Sequence, residues 1–409
     1  MRIIVSLLHH FRMTPDGTVY PYSVFDYTFW SRYLEVFDEV VVFARVQKIA
    51  EINPATMPAP SSGPGVTFVQ LPEFLGPWQY LRIYPRIKAM AKQLLKEDDA
   101  CVLRVPGYLS TMLWRQLRKT KRPYAVEVVG DPWQAFTPGT TKSFLRPLIR
   151  VKFTREMTLQ CRHASAAAYV TEKEIQKRYP PGNWSTHYSS IELSPQDIID
   201  QDAVQKRIEK IEQKSKTKDP WRLCFVGSLW HLVKSPDVVI QAVADCLRRG
   251  CRLQLTLVGD GSLRPQLEEQ TRRLNLTENV EFLGHLPPGK AINEQLDRAD
   301  VFLLPSRSEG LPRSIIEAFA RGLPCIGGNV GGFLELLEKR YQVDPEKKNA
   351  LADTIINTIT HPEAMKQAVV RNVKKAQEYR SDVLKKRRTE LYTRLRNVTR
   401  QWYDSQYSP

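Results

Sequence analysis

The stretch Val301–Gly332, VFLLPSRSEGLPRSIIEAFARGLPCIGGNVGG, decides the fold of this chain. The apolar run Val301–Leu304 predicts a buried strand, and the polar loop after it carries Glu309. The amphipathic run that follows predicts a helix beginning at Pro312, because the N–H that proline lacks has no partner at the first helical position. Free amides at the start of such a helix, aided by its dipole, form an anion site.

Two carboxylates flank this predicted anion site. Glu317 lies about one turn into the helix, where an acceptor-only carboxylate can hold vicinal hydroxyls such as those of a ribose. Glu309 lies at the mouth of the loop and can hold a second set of hydroxyls. A phosphate site between two carboxylates that each bind a sugar describes a nucleotide-sugar site.

Strands and helices alternate along the rest of the chain. The second half contains four more short apolar runs, each followed by a helical pattern: RLCFVGS, LQLTLVGDGS, VEFLGHL and PCIGGNV. In the first half, the predicted strands are Met1–Leu8, VVVFARV, a short one at Val66–Leu71, ACVLRVP, YAVEVVG and, as the last one, ASAAAYVT. This alternation predicts two parallel sheets. We therefore expect an α/β protein with two Rossmann-like domains facing across a cleft, with ligands at the carboxyl ends of the strands.

The boundary between the two domains is predicted where strand signals are sparse, between residues 180 and 220. We assign residues 1–195 to the first domain and residues 196–380 to the second. Residues 381–409 form one long helical pattern. Its predicted buried stripe consists of Leu384, Leu391, Leu395 and Trp402.

Composition excludes several classes of protein. Of the 409 residues, 42% are hydrophobic and 25% are charged, which excludes a disordered, collagenous or coiled-coil chain. The net charge of +16 favours an anionic partner. The six cysteines form no Cys-x-x-Cys pair, which predicts reduced core thiols in the cytoplasm. The apolar start, MRIIVSLLHH, is too short for a membrane-spanning helix or a signal peptide.

The segment from Ser306 to Gly332 resembles the signature of glycosyltransferase family 4, in which two glutamates are separated by seven residues. The segments that begin at Phe225 and Leu257 are similar to the same family. The resemblance implies the GT-B fold, with an acceptor-binding first domain, a donor-binding second domain and a last helix that returns to the first domain.

The resemblance also implies an activity. We expect a retaining, metal-independent glycosyltransferase that moves a hexose-type sugar from a nucleotide-sugar to a glycan or lipid-linked acceptor, in polysaccharide or glycolipid biosynthesis. A UDP-sugar is the favoured donor and a GDP-sugar the second choice. No tightly bound cofactor and no metal are expected, because the family needs no bound metal. The leaving phosphate of the donor helps to deprotonate the acceptor hydroxyl, so no strong general base is needed.

The site residues follow from matching the family pattern to this sequence. Glu309, Lys234 and Asp131 are the candidate catalytic residues. The candidate donor-binding residues are Gly227, Ser228, Lys234, Gly259, Gly261, Leu283, Gly284, His285, Glu309, Gly310, Leu311, Pro312, Arg313 and Glu317. Two departures weaken the expected pair of diphosphate-binding cations: Ser228 replaces the usual arginine, and Lys234 falls one place later than usual. Arg313 is a possible substitute cation.

The first half offers fewer candidates, and each has a structural alternative. Asp131 follows a predicted strand and could meet the donor sugar, or it could form an Asp-Pro turn. His9 and His10, at the predicted end of the first strand, and Asp16, in the loop beyond it, are candidates for the acceptor side. The two histidines could equally be surface or packing residues.

Two alternative functions of the chain stay open. A different GT-B enzyme, such as a nucleotide-sugar epimerase or a phosphorylase, is the first alternative. A nucleic-acid-binding protein is a remote one, since no known nucleic-acid-binding motif accompanies the positive charge.

A peripheral membrane contact is a further expectation. The segment from Thr141 places Lys142, Arg146 and Arg150 on one helical face, beside an apolar stripe of Leu145, Leu148, Ile149 and Phe153. Such a helix can lie on an anionic bilayer, here the inner membrane face, or it can pack on the sheet.

Overall fold

The chain forms two α/β domains joined side by side. The computed structural model describes residues 1–22, 25–51, 59–72, 74, 76–136, 145–191 and 193–407. Each domain is built on a parallel sheet covered by helices, so the expected fold class is confirmed.

The first domain contains an eight-stranded sheet. Its strands are β1 (Arg2–Met13), β2 (Val19–Pro21), β3 (Glu39–Lys48), β4 (Val66–Leu71), β5 (Ala100–Val105), β6 (Ala125–Val128), β7 (Ala166–Tyr169) and β8 (Trp184–His187). They are ordered β4-β3-β1-β5-β6-β7-β8, all parallel, with β2 added antiparallel to β1. The central strands are apolar on both faces because helices cover both sides of the sheet.

The second domain contains a six-stranded parallel sheet. Its strands are β9 (Trp221–Val226), β10 (Leu253–Val258), β11 (Val280–Gly284), β12 (Val301–Leu304), β13 (Cys325–Gly328) and β14 (Gln342–Val343), ordered β11-β10-β9-β12-β13-β14. The order reverses between β9 and β12, and the crevice outside the carboxyl ends of two such strands is where open α/β sheets bind ligands.

The helices connect these strands. Those of the first domain are α1 (Tyr27–Leu34), α2 (Gly76–Leu94), α3 (Tyr108–Lys119), α4 (Pro132–Ala135), α5 (Arg146–His163) and α6 (Glu174–Arg178). Those of the second are α7 (Gln201–Lys216), α8 (Pro236–Arg248), α9 (Arg264–Arg273), α10 (Lys290–Arg298), α11 (Arg313–Ala320), α12 (Phe333–Leu336), α13 (Ala350–Ile359) and α14 (Pro362–Gln377).

The last helix, α15 (Ser381–Tyr407), leaves the second domain and packs on β5, β7 and β8 of the first, as expected. Its predicted stripe is buried at Leu384, Leu391 and Leu395, whereas Trp402 is only half-buried. The stripe also includes Tyr392, whose ring stacks on that of Tyr33 with 4.5 Å between the ring centroids.

The chain crosses between the domains at two adjacent points. Leu193 and Arg380 form an isolated parallel bridge, and the N–H of Ser381 donates to the carbonyl of Leu193 over 2.8 Å. The predicted boundaries after residues 195 and 380 lie close to these two crossings and stay predictions.

Two expectations about strands are wrong. The first strand does not end at Leu8 but continues to Met13, because β3 resumes its pairing after a register shift between Ser6 and His10 and continues as far as Met13 and Lys48. His9 and His10 therefore lie within a strand. ASAAAYVT is not the last strand of the first domain, since β8 follows it and pairs with β7. β8 was not predicted because its sequence, WSTH, forms no apolar run.

The described residues contain no helix long and apolar enough to cross a membrane. All six cysteines are unpaired, and all but the half-buried Cys251 are buried.

Candidate active site

The reversal point of the second sheet brings Lys234 and Glu309 together. Lys234 lies in the loop after β9, and Glu309 lies in the loop after β12. Lys234 Nζ is 3.3 Å from Glu309 Oε1, and Ser306 Oγ donates to the same oxygen over 3.3 Å. Both charged side chains remain partly exposed, so a ligand can reach them.

Arg307, which no sequence motif marks, positions Lys234. Its backbone N–H donates to the carbonyl of Val233 over 2.7 Å. Its Nη1 donates to the carbonyl of Leu232 over 2.7 Å and to Ser235 Oγ over 3.0 Å. Ser235 is buried and has a positive φ of 57°. The tight turn that presents Lys234 is therefore held from the β12 side.

Three glycines let the neighbouring loops touch backbone to backbone. Gly259 has a φ of +139°, and a Cβ there would lie 1.9 Å from the carbonyl oxygen of Gly227. A Cβ at Gly227 would lie 2.6 Å from Lys234 Cδ, and one at Gly261 would lie 2.3 Å from the carbonyl carbon of Leu229. A side chain at Gly259 or Gly261 would displace the backbone of the loop that leads to Lys234, and one at Gly227 would displace the Lys234 side chain.

The end of β11 forms the next wall of the site. The N–H of Gly259 donates to the carbonyl of Gly284 over 2.8 Å. Leu283 is half-buried and His285 is exposed, so neither is locked in the core. Ser228 is also exposed, and its Oγ accepts a hydrogen bond from the N–H of Trp230 over 3.4 Å.

Glu317 opens into a second part of the cleft. It lines a cavity of about 310 Å³ together with Arg313, Asp197 and Asn293. Burial raises the pKa of Glu317, and Asp197 adds to this rise, whereas Arg313 and Lys234 lower the pKa. The Glu317 carboxylate thus lies near two cations, Arg313 and Lys234, and near the oxygen-bearing side chains of Asp197 and Asn293. This environment suits sugar hydroxyls.

The start of α11 differs from the prediction by one residue. Pro312 has an extended backbone and is the N-cap, and Arg313 is the first helical residue. The difference has a physical reason, because the residue that caps a helix has non-helical backbone angles. Leu311 and Pro312 are buried, whereas Arg313 is exposed to the cleft.

The two domains contact each other around this site. A Cβ at Gly310 would lie 2.5 Å from the carbonyl oxygen of Val129 in the first domain, so only glycine permits this approach. The carboxylate of Glu335 accepts three hydrogen bonds from the backbone of α6 and the residue pair before it. The donors are the N–H groups of Glu172 at 2.8 Å, Lys173 at 3.0 Å and Glu174 at 3.3 Å.

Asp131 performs a structural role. Its carboxylate accepts from the N–H of Trp133 over 2.8 Å and from Tyr179 Oη over 2.6 Å, and it forms an ion pair with Arg178. It is the N-cap of α4, which begins with Pro132. These contacts fit the Asp-Pro turn alternative, and they occupy both oxygens of the carboxylate.

The acceptor-side candidates are not brought together. The ring of His9 packs edge-on against Phe11 and Phe25, with centroid distances of 5.0 Å and 4.7 Å. Burial lowers the pKa of His9 to about 4. The ring of His10 faces Tyr22. Asp16 is exposed and accepts hydrogen bonds from neighbouring threonines of its own turn.

A buried polar network lies behind the site. Glu127 Oε1 accepts from the hydroxyls of Tyr33, Tyr188 and Tyr392, over 2.9, 2.8 and 3.1 Å. Its Oε2 pairs with Arg104.

The described residues contain no group of three or more His, Cys, Asp or Glu side chains placed to hold a metal ion.

Comparison with known proteins identifies this architecture. Two solved structures align with nearly the whole chain. Sucrose-phosphate synthase from Thermosynechococcus elongatus aligns with a TM-score of 0.67 at 16% identity, covering 97% of this chain and 99% of that one. Anabaena HepE in complex with UDP and glucose aligns with a TM-score of 0.59 at 15% identity, covering both chains fully. The chain therefore has the GT-B fold.

Sequence comparison adds the activity. Protein CapJ of Staphylococcus aureus is 24% identical over 384 residues, 93% of each chain. Residues 206–376, which contain Lys234, Glu309 and Glu317, match the family model described as glycosyl transferases group 1. The second domain thus carries a group 1 glycosyl transferase region, and the protein is a glycosyltransferase.

Proposed function

We propose that this protein is a retaining, metal-independent glycosyltransferase that transfers a hexose-type sugar from a UDP-sugar to a glycan or lipid-linked acceptor. The observation that carries the proposal is the pairing of Lys234 Nζ with Glu309 Oε1, 3.3 Å apart, at the strand-order reversal of the donor domain. The amino end of α11 adjoins this pair and supplies free amides to an anion.

Each residue has a role in this proposal. Lys234 and the first amides of α11 hold the diphosphate, and Arg313 adds a positive charge from the rim. Glu317 holds the ribose hydroxyls, and Glu309 holds hydroxyls of the donor sugar. The two cations supply the positive charge that a metal ion would otherwise provide to the leaving diphosphate.

The transfer then depends on geometry. The glycosidic bond of the donor breaks toward the diphosphate, whose charge Lys234 stabilises. A phosphate oxygen accepts the proton of the acceptor hydroxyl, which attacks from the same face, so the configuration of the sugar is retained. The residues of the cleft hold the two substrates in place, and no strong general base is needed.

UDP is the proposed nucleotide. HepE, which shares the whole fold, has been solved in complex with UDP and glucose, and this supports UDP over GDP. In this proposal the base lies against the backbone at Leu283 and Gly284, where β11 ends. By its resemblance to the family, we place the reaction in polysaccharide or glycolipid biosynthesis on the cytoplasmic side.

The experiment is a thermal-shift screen against UDP, GDP, ADP and their common sugar conjugates, with and without EDTA. A ligand that binds the native state raises the melting temperature by mass action. We expect a shift with uridine nucleotides that EDTA does not change. Lys234→Ala should lose most of it, and Lys206→Ala, an exposed lysine of α7, should keep it. A shift with none of the nucleotides would contradict the proposal.

We also propose that the start of α5 contacts an anionic membrane. Leu148 and Val151 are 70% and 57% exposed, and Leu145 is exposed beside them, so this apolar surface does not pack on the sheet. Arg146 flanks it, whereas Arg150 stacks over the ring of Trp133 at 3.6 Å. The predicted contribution of Lys142 lies outside the described residues.

Liposome sedimentation tests the membrane proposal. The chain should bind vesicles that contain anionic phospholipid and not neutral vesicles, and Leu148→Ser with Val151→Ser should abolish binding. A double change of exposed residues elsewhere, Val370→Ser with Leu334→Ser, serves as the matched control. Equal binding to neutral and anionic vesicles, or none to either, would refute it.

A further inference from the structure

A basic cavity adjoins the proposed donor site, and the side of it that the first domain and α15 form has no function in the mechanism above. It has a volume of about 200 Å³ and lies between the two domains. The loop Glu309–Leu311 forms its donor-side wall, and Ser189 and Ser190 contribute from the first domain. Four arginines also line it: Arg32 from α1, Arg104 from β5, Arg313 from α11 and Arg388 from α15. Of these, Arg104 is paired with Glu127.

Arg388 is the unusual member of this set. Its side chain is only 8% exposed, and its Nη1 is buried without a hydrogen-bond partner among the described residues. Its guanidinium carbon lies 6.0 Å from the ring centroid of Tyr188. A buried donor of a charged group that has no partner costs free energy, so such a group needs a reason to be there.

A second arginine, Arg32, adds to the positive charge of the cavity. Arg32 lines the same cavity, and burial together with the charge of Arg388 lowers the pKa of Arg32 to about 10. Two guanidinium groups that repel each other in a partly buried space favour an anion between them.

The carboxylates that line the cavity are already engaged. Glu127 uses Oε2 for Arg104 and Oε1 for three tyrosine hydroxyls. Glu309 pairs with Lys234 on the other side of its loop. Among the described residues that line the cavity, neither carboxylate is placed to satisfy Nη1 of Arg388.

We infer that this cavity binds an anionic oxygen group of the acceptor, a carboxylate or a phosphate, through Arg388 and Arg32. The inference rests on the proposed function, because it takes the cleft beside Glu309 as the place of sugar transfer. The two arginines and the serines belong to the acceptor side, and the planar guanidinium of Arg388 suits a bidentate contact with either anion. The acceptor of this enzyme is therefore an acidic sugar or a phosphorylated molecule.

Binding of small acidic probes tests the inference without knowledge of the full acceptor. Methyl α-glucuronide is compared with methyl α-glucoside, and glycerol 3-phosphate with glycerol, by melting-temperature titration of the UDP-saturated chain. We expect one acidic probe to bind at least about tenfold more tightly than its neutral partner. The first pair reports a carboxylate and the second a phosphate. The shift caused by UDP alone reports on the proposed function separately.

Substitutions locate the effect. Arg388→Gln should reduce the affinity for the acidic probe about tenfold, and Arg388→Lys, which keeps the charge, should reduce it less. Arg400→Gln, an exposed arginine of the same helix, should change nothing. If Arg388→Gln fails to fold, Arg32→Gln replaces it. Equal binding of acidic and neutral probes, binding of neither, or an unchanged affinity in both glutamine variants would overturn the inference.

Discussion

Glu127→Gln should destabilise the first domain strongly. Glu127 is 3% exposed, and its two oxygens take four hydrogen bonds, three from tyrosines and one from Arg104, whose side chain is 11% exposed. Glutamine keeps the shape but loses the charge, so Arg104 is left as an uncompensated, largely enclosed cation. Removing one partner of a buried ion pair costs about 3–5 kcal/mol. For a domain of this size, each kcal/mol lowers the melting temperature by about 2–4 °C. We therefore expect a fall of about 6–20 °C.

Thermal unfolding followed by circular dichroism measures this fall. Glu390→Gln, an exposed glutamate of α15, is the matched control and should leave the melting temperature within about 1 °C. The double variant Arg104→Met with Glu127→Leu should be more stable than Glu127→Leu alone, because it leaves no unpaired buried charge. A Glu127→Gln protein that melts within about 2 °C of the original would refute the reasoning, and so would a double variant no more stable than the single one.

Three further predictions concern the site, the domain contact and pH. Glu317→Ala should abolish nucleotide-sugar turnover and leave the circular dichroism spectrum intact; wild-type turnover would contradict its assignment. Glu335→Ala removes three charge-assisted hydrogen bonds between the domains, so it should raise KM for the donor about tenfold or more in steady-state assays; an unchanged KM would show that closure does not depend on this contact. Burial lowers the pKa of His9 to about 4, and His10, Arg45 and Arg104 contribute to the decrease. His9 of the unfolded chain therefore binds a proton near pH 6.5, whereas His9 of the folded chain stays neutral there. The free energy of unfolding should therefore fall by about 2 kcal/mol between pH 7 and 5 in urea titrations, and His9→Phe should remove this loss; an equal loss in the variant would point to other groups.

The sequence predicted those parts of the structure that local patterns determine. The strand Val301–Leu304 has the predicted bounds, because an apolar run ended by a proline leaves little choice. Glu309 and Glu317 lie at the loop and one turn into the helix, as their spacing indicated. The long helix at the end of the chain packs through Leu384 and its two partner leucines, since a 3.6-residue apolar period is easily recognised.

The parts that depend on distant contacts could not be predicted. Arginine and glutamate are common surface residues, so the sequence does not distinguish Arg307, Glu335 and Arg388. Each obtains its role from contacts with residues far away in the chain. Arg307 holds a turn about 75 residues earlier, and Glu335 binds amides about 160 residues earlier. Strand β8 was missed for the same reason, because pairing with β7 forms it and not an apolar run of its own.

The bond from Tyr392 to Glu127 has a consequence for how the protein is made. The first domain emerges from the ribosome long before residue 392 is synthesised, so the nascent domain lacks the third tyrosine of its network and the contacts of α15 with β7 and β8. Domains normally fold in the order in which they are synthesised. In this protein, complete packing of the first domain requires the helix that is synthesised last. A chain truncated before Tyr392 would therefore leave the first domain without part of its buried network.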